Sequence, residues 1–315
     1  MATQNRVTRR RFLGRTAAIG TAGLLAPQAI TGLAEAAGPS SAGGGYRVGM
    51  YTRPWDRHDY RVALDAIAEA GFKHAGLMTT STEGRRLVIQ ADTPLETCEK
   101  IGREVKDRGM TIPSVYGGGI GVAKSLEKGI EDLKRLIDNC VAAGARSLLM
   151  GGTNEKLFDI YYQAIAECCD YAAEKNLPIT VKPHGGVNAN GAQCRKCVET
   201  VGHKSFSIWY DPGNIFWYSK GATNPVDDAP SVAGLVMGMC IKDYQKEPKP
   251  DVWVTPGTGL VDFPGVLARL KQGGFTTGAL VIETVTRPDP LDQAKILQEV
   301  KKARQYVEEL AAKMA

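Results

Sequence analysis

Short apolar runs alternate with longer amphipathic stretches along most of the chain. Tyr46 to Thr52 opens the series as a strand, and Asp59 to Ala70 follows with its apolar positions at helical spacing. His74 to Met78 reads as the next strand. Pro94 to Arg108 reads as a helix stopped by Gly109, and Thr111 to Tyr116 as a third strand. Ser125 caps a helix that runs to Ala143 and stops at Gly144, ahead of a fourth strand from Arg146 to Met150. A helix over Lys156 to Asn176 places Leu157, Ile160, Tyr161, Ala164, Ile165 and Cys168 on one face, and a strand follows from Ile179 to Val181. The series closes with a helix around Gln193 to Val201 and strands at Phe206 to Tyr210, Val236 to Ile241 and Ala279 to Ile282. Helices at Phe263 to Gln272 and Leu291 to Met314 complete it. Residues 215–235 show no such pattern and are expected to form a long loop over the site. The strands are too continuously apolar for one-sided exposure, so the pattern predicts a parallel sheet covered on both faces. Eight repeated units fit a closed (β/α)8 barrel better than a doubly wound sheet.

Four of these strands end on polar groups. The run FSIWYDPGN at 206–214 delivers Asp211, and Pro212 and Gly213 then stop the strand. Ile179 onward delivers Lys182 and His184, Val236 onward delivers Lys242 and Asp243, and Ala279 onward delivers Glu283. In a parallel barrel these ends meet on the face where active sites sit. A carboxylate at the end of an apolar strand needs a cation, a donor or a ligand. Lys182, His184, Asp211, Lys242 and Glu283 are therefore the candidate catalytic residues. His184 lies where the chain leaves its strand, between Pro183 and Gly185, and imidazole titrates near working pH. Asn214 reads equally as a turn or cap residue and as a substrate hydrogen-bonding group. Trp55 and Trp217 offer aromatic faces of the kind that suit sugar rings. Asp243 reads as half of an internal pair, and His58, His74 and His203 as surface or packing residues. The glycine run from Gly117 to Gly121 lacks the Lys and Ser/Thr of a phosphate-binding loop, so it is expected to be a flexible connection.

The amino terminus changes the charge picture. Thr8-Arg-Arg-Arg-Phe-Leu13 is a twin-arginine pattern, followed by a moderately apolar run from Thr16 to Leu33 and a small-residue cleavage site near Ala36. Residues 1–36 are expected to be a twin-arginine signal peptide and 37–45 a Gly/Ser-rich leader, with the barrel over 46–315. The signal interrupts its apolar run with Gln28 and Thr31, which argues against a membrane anchor. It carries five arginines against Glu35 alone, so +4 of the chain's formal +5 leaves with it. The remainder, near +1, has no basic stripe for nucleic acid. Seven cysteines need no disulfide framework in a protein exported already folded. Cys140, Cys168 and Cys169 read as core residues, and the Cys194–Cys197 pair, with no second pair to complete a zinc site, as structural.

The motifs YDPGN at 210–214, CIKD at 240–243, VIE at 281–283 and PGTGLVDFPGVLARL at 256–270 occur here in a fixed order. With them the chain resembles the xylose-isomerase-like TIM-barrel superfamily of sugar isomerases and epimerases, which shares its barrel with endonuclease IV. The resemblance spans Tyr46 to the carboxyl terminus. It implies, for metal-dependent members, a divalent ion held by a Glu, an Asp, a His and a Glu at the ends of strands five to eight. Asp211 and Glu283 match two of these ligands. Lys182 falls where the first Glu belongs and Cys240 where the His belongs. A divalent metal cofactor is thereby put in doubt, since an ammonium repels the ion. An ion, if held, would use His184, Asp211 and Glu283.

Together with the export signal, the resemblance implies an exported, carbohydrate-active enzyme of isomerase or epimerase type, removing a proton beside the carbonyl of a sugar or keto-sugar. Glu283 or His184 would be the base, and Lys182 with Lys242 would hold the enolate oxygen. Two alternatives stand beside it. One is a lyase or hydratase acting on keto-glycosides, and the other a non-catalytic sugar-binding barrel that has lost its metal centre. The expected partners are a small carbohydrate and, during export, the twin-arginine translocase, with a periplasmic or extracellular destination.

Overall fold

The first element of the computed structural model is the strand β1 (Tyr46–Tyr51), buried from Gly49 onward; the structure describes residues 45–314. Seven more parallel strands follow: β2 (Ala75–Gly76), β3 (Val115–Gly118), β4 (Leu148–Met150), β5 (Ile179–Val181), β6 (Phe206–Tyr210), β7 (Val236–Ile241) and β8 (Gly278–Ile282). Their order is β2-β1-β8-β7-β6-β5-β4-β3. Single parallel bridges at His74–Thr111 and Leu77–Val115 span the gap between β2 and β3, which brings the sheet round into a barrel. Both edges of an open sheet would leave backbone donors unpaired, and closure removes them. The expected signal peptide and most of the expected leader lie outside the described residues. Among the described residues no helix is long and apolar enough to cross a membrane.

The strands alternate strictly. Ile179 and Val181, Ile208 and Tyr210, Ile241, and Leu280 and Ile282 point to the helix layer and join the main apolar core. The intervening Tyr51, Trp209, Cys240 and Val281 form a second, smaller cluster with Met78, Leu149 and Ala279. Two residues further along each strand, the same side of the sheet is presented again. Arg53 follows Tyr51, Lys182 follows Thr180, Asp211 follows Trp209, Lys242 follows Cys240 and Glu283 follows Val281. A period of two thus stacks five charged groups above the inner apolar layer.

The surrounding helices are α1 (Tyr60–Glu69), α2 (Leu95–Asp107), α3 (Leu126–Ala142), α4 (Phe158–Glu174) and α5 (Gly191–Val201). Ser125 caps α3 by accepting from the Lys128 amide, as its sequence position predicts. Two expectations need correction. Residues 215–235 are not mostly loop: α6 (Pro212–Tyr218), α7 (Pro225–Asp228) and a 3-10 turn (Ala229–Val232) occupy much of the stretch. Asp211 accepts from the Asn214 amide and Pro212 fills the first turn, an N-terminal signal hidden beneath an aromatic run. The second strand is shorter than expected, because after Leu77 the chain turns out into a hairpin, Thr79–Thr82 paired with Arg85–Leu87. The chain closes with α8 (Phe263–Gln272) and α9 (Gln293–Met314). All seven cysteines are buried and unpaired, as core residues should be.

Candidate active site

Lys182 is 1% exposed, and its ammonium donates to Asp211 Oδ2 at 2.9 Å and to Glu283 Oε2 at 2.5 Å. Lys242, 2% exposed, brings a second ammonium to the same carboxylates, 3.3 Å from Asp211 Oδ2 and 2.6 Å from Glu283 Oε1. Arg53 closes the cluster from the β1 side, with Nη1 3.2 Å from Glu283 Oε1. Each carboxylate is fully buried and each faces at least two cations, so neither is left as an isolated charge.

These contacts set the protonation states. Burial opposes the charge on Lys182, but the Asp211 and Glu283 carboxylates outweigh it and hold the ammonium well above its ordinary pKa. Burial likewise opposes the Glu283 carboxylate, and Lys182, Lys242 and Arg53 overcome that and hold it well below the usual carboxylate range. Lys242 goes the other way. Burial, with repulsion from Lys182 and Arg53, pulls it below the ordinary lysine value despite Asp211 and Glu283. The site therefore contains one firmly fixed cation and one that loses its proton more readily.

Asn214 holds Lys242 in place. Its Oδ1 accepts from Lys242 Nζ at 3.0 Å and its Nδ2 donates to the Pro183 carbonyl at 2.7 Å, which ties β7 to the exit of β5. With both ends engaged and 4% exposure, Asn214 positions the lysine. Gly213 is required beside it, since a Cβ there would lie 2.5 Å from the Lys242 carbonyl oxygen and 2.7 Å from its Cγ. Asp243 turns away from the charge cluster. It is fully buried and accepts the amides of Tyr244, Gly257, Gly259 and Val261, so it anchors the β7–α8 loop rather than forming an ion pair.

His184 stands at the exit of β5, where its amide donates to the Asn188 carbonyl and the Asn188 side chain donates to the Lys182 carbonyl. Its ring lies between Tyr116 and Tyr218, 6.1 and 6.0 Å from their ring centres. Burial, reinforced by the Lys182 and Lys242 charges, lowers its pKa to about 4. The imidazole is thus neutral at neutral pH. It lines a cavity of about 250 Å³ with Tyr116, Thr153 and paired glycines at 118–119, 151–152 and 185–186. Gly185 has φ +81° and packs under the Tyr218 ring, where a Cβ would come within 2.5 Å.

Trp55 and Trp217 do not join this site in the same way. Trp55 is 1% exposed and packed into the main core, with no free face for a sugar. Trp217 is 40% exposed on α6. The indole that lies against the charged groups is Trp253, with the Arg53 guanidinium 5.5 Å and that of Arg287 3.3 Å from its ring centre. Sequence reading missed Arg53, Arg287, Trp253 and Tyr116. The Arg53-Pro54 step directly after the first strand was the available signal for one of them.

A divalent ion fits these residues poorly. Among the described residues Asp211, Cys240 and Glu283 bring ligand atoms within 4.8 Å of one another, and His184 is not in that group. Two ammonium groups already occupy the carboxylate oxygens. Burial pushes the Cys240 thiol well above its ordinary pKa, whereas a cysteine ligand must be a thiolate. Lys182 Nζ, 3.9 Å from Cys240 Sγ and bonded to both acids, itself supplies the central positive charge.

An eight-stranded parallel barrel with a buried ionic array and a neutral histidine at its carboxyl-terminal face defines the class of this protein. Residues 64–310 match the family described as xylose isomerase-like TIM barrel, and the chain belongs to that family. No curated protein matches it in sequence. Similar solved structures include a D-psicose 3-epimerase in the presence of D-fructose, at 13% identity and TM-score 0.65, over 84% of this chain and 99% of that one. A xylose isomerase-like TIM barrel protein from Mycobacterium smegmatis in complex with magnesium is similar at 15% identity and TM-score 0.67, over 86% of this chain and 97% of that one. The 3-keto-D-glucoside 4-epimerase from E. coli has 15% identity and TM-score 0.62, over 82% of this chain and 99% of that one. At such identities the likeness establishes the fold.

Proposed function

We propose that this protein is an exported sugar isomerase or epimerase that moves a proton beside a carbonyl, with a lysine ammonium in the role of the positive centre. The observation that carries the reading is the pairing of a neutral, cavity-lining His184 with two buried lysines whose charge reaches its ring. His184 takes the proton from the carbon next to the carbonyl. The C–H electron pair moves into the carbon–carbon bond and on to the carbonyl oxygen, and Lys182 and Lys242 stabilise the enolate oxygen. Return of the proton to the same carbon on its other face completes epimerisation; delivery to the former carbonyl carbon, with the adjacent hydroxyl proton passing to the enolate oxygen, completes isomerisation. Glu283 is the weaker base, because its three cationic neighbours hold it ionised and unreactive. The epimerase activities named for similar barrels support the sugar class.

Incubating the mature protein with a panel of keto-sugars in heavy water tests this directly. Deuterium should enter the sugar at the carbon beside the carbonyl, and His184→Gln should abolish the exchange while leaving the fold intact by circular dichroism. Release of an aglycone from a keto-glycoside would instead point to the lyase alternative. Binding without exchange or release would point to the non-catalytic barrel.

A further inference from the structure

On the β1/β8 side of the same face, two guanidinium groups share one indole. Arg53 and Arg287 both lie over Trp253, and Arg287 is close enough to stack. Like charges held this near one another repel, and the partners present account for only part of each fork. Arg53 touches Glu283 through Nη1. Arg287 reaches Asp56 Oδ1 through Nη2 at 2.7 Å, and the same nitrogen donates to the Arg53 and Pro54 carbonyls. The Nε–H of both arginines is buried with no acceptor among the described residues. Such orphaned donors cost free energy unless something fills them. Through their remaining atoms the side chains are 28% exposed for Arg53 and 17% for Arg287. Burial, with the charges of Arg53 and Arg57, pulls Arg287 below the usual arginine value, although Asp56 opposes the shift.

The wider face shows the same imbalance. Lys182, Lys242, Arg53 and Arg287 are four cations, and Asp211, Glu283 and Asp56 are three carboxylates. A neutral sugar gains nothing from this excess. An oxyanion does, because a guanidinium whose plane is fixed by stacking offers its edge donors in the fork geometry that carboxylates and phosphates accept.

We propose that Arg53 and Arg287 form an oxyanion clamp, so that the substrate is an acidic sugar carrying a carboxylate or phosphate away from the carbon that exchanges its proton. This rests on the sugar reading given above. The neutral, glycine-walled cavity beside His184 would take the uncharged part of the ring, and the arginine side would take the charge.

Calorimetric titration of the mature protein with D-glucuronate, D-glucose 6-phosphate and D-glucose tests the clamp without any turnover. At least one acidic sugar should bind about tenfold more tightly than glucose, as one charge-assisted pair provides, and the preferred acid identifies the oxyanion. Arg287→Gln should bring that ligand to the level of glucose. Arg287→Lys, which keeps the charge but not the fork, should fall between them. Equal binding of all three compounds, binding of none, or an acid preference that survives Arg287→Gln in a folded variant overturns the clamp. The outcome is separable from the proton-transfer reading. Exchange of a neutral keto-sugar with no acid preference removes the clamp alone, and acid preference without exchange removes the isomerase reading alone.

Discussion

Lys182 decides how the site is charged, and its substitutions separate the possibilities most sharply. Lys182→Met leaves Asp211 and Glu283 sharing the Lys242 ammonium, with Arg53 at the rim. Removing one partner from a buried ionic cluster costs roughly 3 kcal/mol, the lower end of the usual range because other cations remain. Urea unfolding should show that loss, and proton exchange should cease. Lys182→Glu replaces the cation with a third acid beside two others, and acids that close raise one another's pKa unless an ion arrives. That variant should gain affinity for manganese or magnesium by calorimetry while losing activity. Wild-type activity should meanwhile survive prolonged chelation. Loss with a chelator and recovery on adding the ion back would remove Lys182 from the central role. His184 gives a separate handle through its pKa of about 4. As a base it must be neutral, so kcat/KM should hold down to about pH 5 and fall only as pH approaches 4. An acid limb near the ordinary histidine value of 6.5 would contradict the buried, lysine-flanked ring.

At the scale of elements, the β7–α8 loop hangs on one side chain. Asp243 accepts four backbone amides, three of them from Gly257, Gly259 and Val261. Its alanine substitution orphans all four donors. The expected cost is at least about 3 kcal/mol, and hydrogen–deuterium exchange should quicken at residues 257–261 before the rest of the barrel loosens. Trp253 belongs to this loop and carries Arg53 and Arg287 over its ring. Uniform exchange across the barrel in that variant would show the loop held by other contacts. The short helix α6 has a comparable dependence, since Asp211 both caps it and pairs with the two lysines. Helix and charge cluster are in this way coupled through one carboxylate.

For the whole molecule, the titrating groups point to acid sensitivity. The folded pKa of His184 lies below its unfolded value, so between pH 6.5 and about 4 the unfolded chain binds the extra proton. Stability is therefore lost as pH falls through that window, by up to about 3 kcal/mol from this residue. Glu283 adds in the same direction, with stability present above its ordinary value of 4.5 and lost as pH drops toward its lowered folded value. Lys182 works only at the alkaline end, where stability would fall as pH passes its raised folded value. The urea midpoint should accordingly be lower at pH 4.5 than at pH 7, and His184→Gln should flatten that difference. The proposed export is tested on the intact chain. Replacing Arg9 and Arg10 by lysine should retain unprocessed protein in the cytoplasm, and normal appearance of the processed form outside would remove the twin-arginine assignment.

Much of this was legible in the chain. Strand–helix alternation with continuously apolar strands dictates a covered parallel sheet, and a polar residue ending a buried strand can project only toward the carboxyl-terminal face. Lys182, Asp211, Lys242 and Glu283 were foreseeable for that reason, because a period of two and strand polarity are local properties. Local pattern does not report distance between strands. Only the closed barrel showed that both lysines share both acids, and that Asn214 serves Lys242. It also placed Trp55 in the core, and Asp243 turned to a loop of amides. Arg53, Trp253 and Arg287 come from three connections far apart in sequence, and nothing in their own neighbourhoods marks them as companions. Their meeting, like the neutral state of His184, follows from how the barrel brings separate strand ends to one mouth and how deeply it buries them.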